Sequence, residues 1–142
     1  IAIIGILVAI AVGRLKGNIT DANNVAAKAE VDTVATVLGQ CALMNCQTST
    51  GTHSTTGQEY IACNMCTDPS KDYTVVHPFP SGVHFSMNPD PMVGMPTYNN
   101  PVSFSIYHEY GSQTFCYNAE PAELHTVDGL DPTFCPPPTT YP

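Results

Sequence analysis

Cysteine carries the most chemistry in this sequence. Cys41, Cys46, Cys63 and Cys66 read C-x4-C-x16-C-x2-C, and Cys116 and Cys135 follow downstream. Six cysteines, an even count in a 142-residue chain, point to disulfides formed in an oxidising compartment. Two bridges among the first four would pin the end of a helix to the loop beyond it, and the spacing is compatible with nested and with crossed pairing. The rival chemistry is a tetrahedral zinc site, which also needs two close pairs of thiolates. An export route that oxidises thiols favours the disulfides. No cysteine sits in a C-x-x-C-H context, so covalent haem is not expected.

The other polar groups offer less. Asp128 and Asp131 flank a glycine in "VDGLDP", where two carboxylates could hold a hard cation such as calcium, although a solvated turn is the simpler reading. Five histidines and many serines invite a hydrolase reading, yet no G-x-S-x-G elbow and no H-E-x-x-H occurs, so no enzymatic activity is expected. His84 and His108 fall in or at the end of strand patterns and read as ordinary sheet residues. Asn18-Ile19-Thr20 fits the glycosylation sequon. Twelve acidic residues against four basic ones give a net charge of -8, and Arg14, Lys16, Lys28 and Lys71 form no patch beyond the Arg14/Lys16 pair. Nucleic acid is therefore not an expected partner, because phosphate binding needs clustered Lys and Arg.

The elements that position these groups fall into two halves. From Ile1 to about Met44 there is no proline and no Phe, Tyr or Trp, and Ala, Val, Ile and Leu dominate. Ala27, Val31, Val34, Leu38 and Cys41 repeat at helical spacing and mark one buried face. Lys28 and Asp32, four apart, form a candidate surface ion pair. The polar stretch "GNITDANN" interrupts this pattern; Thr20 or Asp21 could cap a new helix there, or one long helix could pass through a weakened turn. Gly5, Gly13 and Gly17 each weaken a helix by about 1 kcal/mol relative to Ala, which suggests a helix that bends or locally unwinds.

After Cys46, "QTSTGTHSTTGQEY" is small, polar and without period, and is expected to be a loop. Val83, Phe85 and Met87 then alternate with His84 and Ser86, and Val102, Phe104 and Ile106 with Ser103, Ser105 and Tyr107. A Gly111-Ser112 turn leads to "QTFCYNA", making the second and third segments a hairpin. With Phe115 and Tyr117 on one side of that sheet, Cys116 faces the other, free to hold the proline-rich tail "DPTFCPPPTTYP". A Cys116–Cys135 bridge would close a loop of about twenty residues and stabilise it by roughly 3 kcal/mol. The expected fold class is α+β: one long N-terminal helix (1–46, apolar over 1–17 and amphipathic over 18–46) packed on a small antiparallel sheet in a head of residues 47–142.

The opening "IAIIGILVAIAV", Ile1 to Val12, has no charge and no hydrogen-bonding side chain. As helix it spans about 18 Å, short of the ~30 Å hydrocarbon core of a bilayer. Ala9-Ile10-Ala11 has the A-x-A form of a signal cleavage site, but no basic segment precedes the run. A helix apolar all round must be surrounded by something other than water.

This run, followed by a long amphipathic helix, a polar loop and an antiparallel sheet, resembles the type IV pilins and related pseudopilins. The match is dense over Ala2 to Ala11, against the stretch usually written A-I-I-G-I-L-A-A-I-A, and architectural over the rest. The resemblance implies a leader removed by a dedicated peptidase, a methylated N-terminus, and roughly nine residues before Ile1, including a glutamate. Those residues would lengthen the apolar run to about twenty, enough to hold the subunit in the inner membrane before assembly. It implies that Ile1, Ile3, Ile4, Gly5, Ile6, Leu7, Val8, Ile10 and Val12 form the assembly helix. The family commonly carries a helix-kinking proline where this chain has Gly13, so Gly5 to Gly13 is expected to stretch or melt in a filament. A Cys116–Cys135 bridge would match the disulfide loop that many pilins carry near the C-terminus, and Asp128 and Asp131 the calcium loop of major pseudopilins. Electron conduction through aromatic stacking along the helix, proposed within the family, is not expected here, since the first such ring is Tyr60.

The expected function is therefore structural. The chain would be the subunit of an extracellular type IV pilus-like filament, without cofactor, whose partners are identical subunits in a helical homopolymer and the pilus assembly machinery of the inner membrane. The alternative is a periplasmic type II secretion pseudopilin with calcium at the acidic loop. A membrane-tethered zinc or redox module of four cysteines is a third, of another class.

Overall fold

One helix, α1, runs unbroken from Ala2 to Leu43 in a computed structural model that describes residues 2–88, 103–119 and 122–130. Its 42 residues span about 63 Å. The two halves meet different surroundings. Ala27, Val31, Val34, Leu38 and Cys41 are all buried, as their spacing requires, and Val37 joins them. Every residue from Ile3 to Ile19 is exposed.

The "GNITDANN" stretch does not interrupt the helix. It is polar because the head docks there through hydrogen bonds. The Asn23 side chain donates to the Tyr110 carbonyl at 3.2 Å. Asn24 is buried; its Oδ1 accepts from the backbone N–H groups of Ser112 (2.9 Å) and Gln113 (3.3 Å), and its Nδ2 donates to Ser112 Oγ at 3.0 Å. A side chain on Gly111 would come within 2.6 Å of that Oδ1, so the turn needs glycine for close approach. Lys28 and Asp32, expected to pair, do not: among the described residues every ion pair joins a histidine to a glutamate. The Lys-before-Asp order is the weaker orientation on a helix and both side chains are solvated.

The helix ends in a Schellman motif. Asn45 takes the left-handed conformation (φ 54°), Cys46 N–H donates to the Cys41 carbonyl and Asn45 N–H to that of Ala42. This reversal returns the chain beside the last helical turn.

Two antiparallel sheets follow. The first contains β1 (Gln47–Thr52), β2 (Glu59–Asn64) and β3 (Val76–Pro78) in the order β1-β2-β3. The polar run expected to be a loop is thus an edge strand and a turn. It shows no apolar period because only Thr48 of β1 is buried, and its stabilisation is cross-strand. Gly51 stands opposite Tyr60, and a β-carbon there would lie 2.5 Å from the tyrosine hydroxyl oxygen, so the ring lies over bare backbone.

The second sheet is a meander of β4 (Val83–Asn88), β5 (Ser103–His108), β6 (Gln113–Ala119) and β7 (Ala122–Asp128). The expected hairpin is β5–β6. Phe85, Ile106 and Phe115 stand in register across it, as do Met87, Phe104 and Tyr117. This face packs on the helix stripe. A line of rings, Phe79 to Phe85 (5.2 Å), Phe85 to Phe104 (5.6 Å) and Phe104 to Tyr117 (5.0 Å), carries the core from the exit of the first sheet across the second. Together these elements form the α+β arrangement of a long helix on antiparallel sheet.

Replacing Asn24 with Ala removes the acceptor for two backbone N–H groups at the hairpin turn. It is expected to destabilise the head by about 1–3 kcal/mol in denaturant unfolding, whereas Asn18→Ala, on the exposed half, should stay within about 0.5 kcal/mol.

Candidate functional site

Two features of this fold carry functional information: the bare half of α1 and the disulfide knot at its other end. On the bare half, Ile3, Ile4, Ile6, Leu7, Val8, Ile10 and Val12 are 52–74 % exposed, and Leu15 and Ile19 extend the series beyond the run expected from sequence. Ile1 lies outside the described residues. From Ile3 to Ile19 this rod measures about 25 Å. The helix is long and apolar enough to cross a membrane by length and composition.

Gly5, Gly13 and Gly17 lie within this rod, and a β-carbon at any of them would meet nothing within 4 Å. The helix is continuous through all three. The melting expected of Gly5 to Gly13 concerns the packed state. Together with Ala9 these glycines recur every four residues, a spacing that places small residues along one helix face. Such a face lets another helix backbone approach closely. That pattern is present in the sequence, but three glycines read singly as helix breakers conceal it.

At the opposite end, Cys41 pairs with Cys63 and Cys46 with Cys66, a crossed arrangement. The topology dictates it. The core face of α1 lies over β2, so Cys41 covers Cys63, while Cys46 opens β1 where the register places Gln47 opposite Asn64, near Cys66. All four sulfurs are committed to these bridges, and the tetrahedral thiolate site is thereby excluded. Cys116 is disulfide-bonded as well, on the sheet face opposite Phe115 and Tyr117. Its expected partner, Cys135, lies outside the described residues.

Around the knot three non-glycine residues, Asn45, Met65 and Tyr73, take positive φ. Local bonds hold them: Thr67 N–H donates to the Asn45 carbonyl, Met65 N–H to Asn64 Oδ1 and Tyr73 N–H to the Cys63 carbonyl. Asp72 Oδ1 accepts from Cys66 N–H at 2.8 Å. Asp68 caps the 3₁₀ turn Pro69–Lys71, and hydrogen bonds from the Ser70 hydroxyl and N–H hold its carboxyl below the usual aspartate value.

The histidines serve as struts. His77 Nε2 meets Glu30 Oε2 at 2.6 Å, tying the first sheet to α1. His84 Nδ1 meets Glu59 Oε1 at 2.9 Å, and Glu59 Oε2 accepts from Phe85 N–H, joining the two sheets. His84 thus does more than the ordinary sheet position expected of it. His108 Nδ1 accepts from Tyr110 N–H in the hairpin turn. Among the described residues, the histidines bond to Glu carboxylates and backbone N–H groups. Asp128 is exposed at the end of β7, Asp131 lies outside the described residues, and no metal-competent group of three His, Cys, Asp or Glu occurs among those described.

Comparison with protein-family models, curated proteins and solved structures gives no match.

Peptide mapping without reduction is expected to recover Cys41 linked to Cys63 and Cys46 linked to Cys66. Removing the first bridge as the pair Cys41→Ala/Cys63→Ala should lower unfolding free energy by about 3 kcal/mol, the value for a loop of this length.

Proposed function

We propose that this chain is a structural, non-enzymatic subunit of an extracellular pilus-like filament that polymerises through the N-terminal half of α1. One observation carries the reading: a rod about 25 Å long presents nine exposed Ile, Leu and Val side chains and receives no cover from its own head. Burying one such side chain fully is worth about 1.5–3 kcal/mol. Nine of them supply enough to offset the several kcal/mol lost in ordering a new neighbour. Water is therefore the one surrounding this half of the molecule cannot occupy stably.

Lipid and other copies of the same helix are the two apolar surroundings that remain. In lipid the rod gains nothing hydrophobic by pairing, so close packing must drive association there, and the Gly5–Ala9–Gly13–Gly17 face supplies it. Before assembly the subunit would rest in the inner membrane, where the assembly machinery supplies the work of extraction. After assembly the heads form the outer surface, stapled by disulfides suited to an oxidising exterior.

The reading is tested by electron microscopy of fibres together with the variant Ile6→Lys/Ile10→Lys, which places two charges on one exposed face of the rod. Wild-type chain should form long fibres and the variant none, while head unfolding changes by less than about 0.5 kcal/mol. Fibres from the double-lysine variant, or none from wild type, would overturn it.

A further inference from the structure

The crossed knot is hard to reach from an unfolded chain. Its four cysteines can pair in three ways, and chain statistics favour a different one. Cys41 and Cys46 have four residues between them and Cys63 and Cys66 have two, whereas the native bridges join residues 22 and 20 apart. Loop-closure entropy in a flexible chain favours each local closure over its native rival by about tenfold. Nested pairing, Cys41 with Cys66 and Cys46 with Cys63, would close loops of nearly the same size as the crossed ones. The unfolded chain therefore forms local bridges first and does not discriminate nested from crossed.

Only the folded head discriminates them. The Schellman reversal and the β1–β2 register bring Cys41 to Cys63 and Cys46 to Cys66. A single local bridge blocks both native ones, because Cys41–Cys46 or Cys63–Cys66 takes one sulfur from each. After the head has closed, little exchange is open from outside: Cys41, Cys46 and Cys63 are fully buried and Cys66 is 9 % exposed.

We propose that this chain is a substrate of a thiol–disulfide isomerase, which converts local bridges into the crossed pair before the head closes. A disulfide oxidant first removes two electrons and two protons from each close pair of thiols. The isomerase thiolate then attacks Cys66 of the Cys63–Cys66 bridge, forming a mixed disulfide and releasing the Cys63 thiolate. Cys63 attacks Cys41 of the Cys41–Cys46 bridge, forming the first native bridge and releasing the Cys46 thiolate. Cys46 attacks Cys66 in the mixed disulfide, which completes the second native bridge and returns the isomerase thiolate. Two bridges enter and two leave, so the exchange consumes no oxidant. Burial of the sulfurs in the closed head then withdraws the product from further exchange. These steps precede any assembly and hold whether or not the chain forms fibres.

The test refolds the reduced full-length chain in a mixture of oxidised and reduced glutathione, with and without added protein disulfide isomerase. Acid quenching followed by peptide mapping without reduction reads the bridges over time. Cys41–Cys46 and Cys63–Cys66 should dominate the early bridges, and the isomerase should speed their conversion to the crossed pair by about tenfold. The variant Cys46→Ala/Cys66→Ala can form neither local bridge and should close Cys41–Cys63 without comparable acceleration. The maps read covalent pairs whether or not a variant folds. Crossed bridges as the first species formed overturn the inference. So does a wild-type conversion that the isomerase leaves unchanged, or a variant accelerated as strongly as wild type.

Discussion

A single continuous helix serves two surroundings, and everything else in the structure follows from that. The helix is continuous through α1, so its exposed half and its buried half belong to one element. Half of the helix completes the core of the head. The other half projects about 25 Å beyond it with apolar side chains that the head does not cover. The fold is complete as a head and incomplete as a surface.

The boundary between the halves is built from amides. Asn23 and Asn24 receive the β5–β6 turn through hydrogen bonds with defined geometry, where a purely apolar contact could slide along the rod. Below that point valines, Leu38 and Cys41 fix the helix to both sheets, and the crossed disulfides fasten its last turn to β2 and the segment after it. The Glu30–His77 and Glu59–His84 contacts add polar ties between helix and sheet and between the sheets.

Much of this was legible in the chain. The buried stripe from Ala27 to Cys41 follows from period alone, and the apolar face of β4–β5–β6 follows from alternation, although Ser103, Ser105, Thr114 and Cys116 on the other face are buried as well. Edge elements were less legible. β1 has one buried residue and depends on the partner strand for its order, so its sequence resembles a loop. Asn24 looked like a helix interruption because a buried amide and a solvated amide are the same letter; only the hairpin turn 88 residues away distinguishes them. The glycines of the rod likewise read as weakness, although an exposed helix face with no side chains is also the surface another helix approaches most closely.

By itself, the sequence determined the division of the molecule: an aromatic-free helix, an apolar opening that needs a surrounding other than water, and a β-rich, cysteine-held head. These are properties of composition and period, which act locally and survive without knowledge of neighbours. Tertiary structure alone decided the pairing of Cys41 with Cys63 and Cys46 with Cys66, the continuity of α1 through its polar stretch, and the end of the bare rod at the first hydrogen bonds from the head. Each of those depends on which distant segment arrives beside a residue, and spacing along the chain does not encode arrival in space. The physical reason is the Schellman reversal at Asn45 together with the register of β1 on β2, which places sulfurs 22 and 20 residues apart within bonding reach of each other.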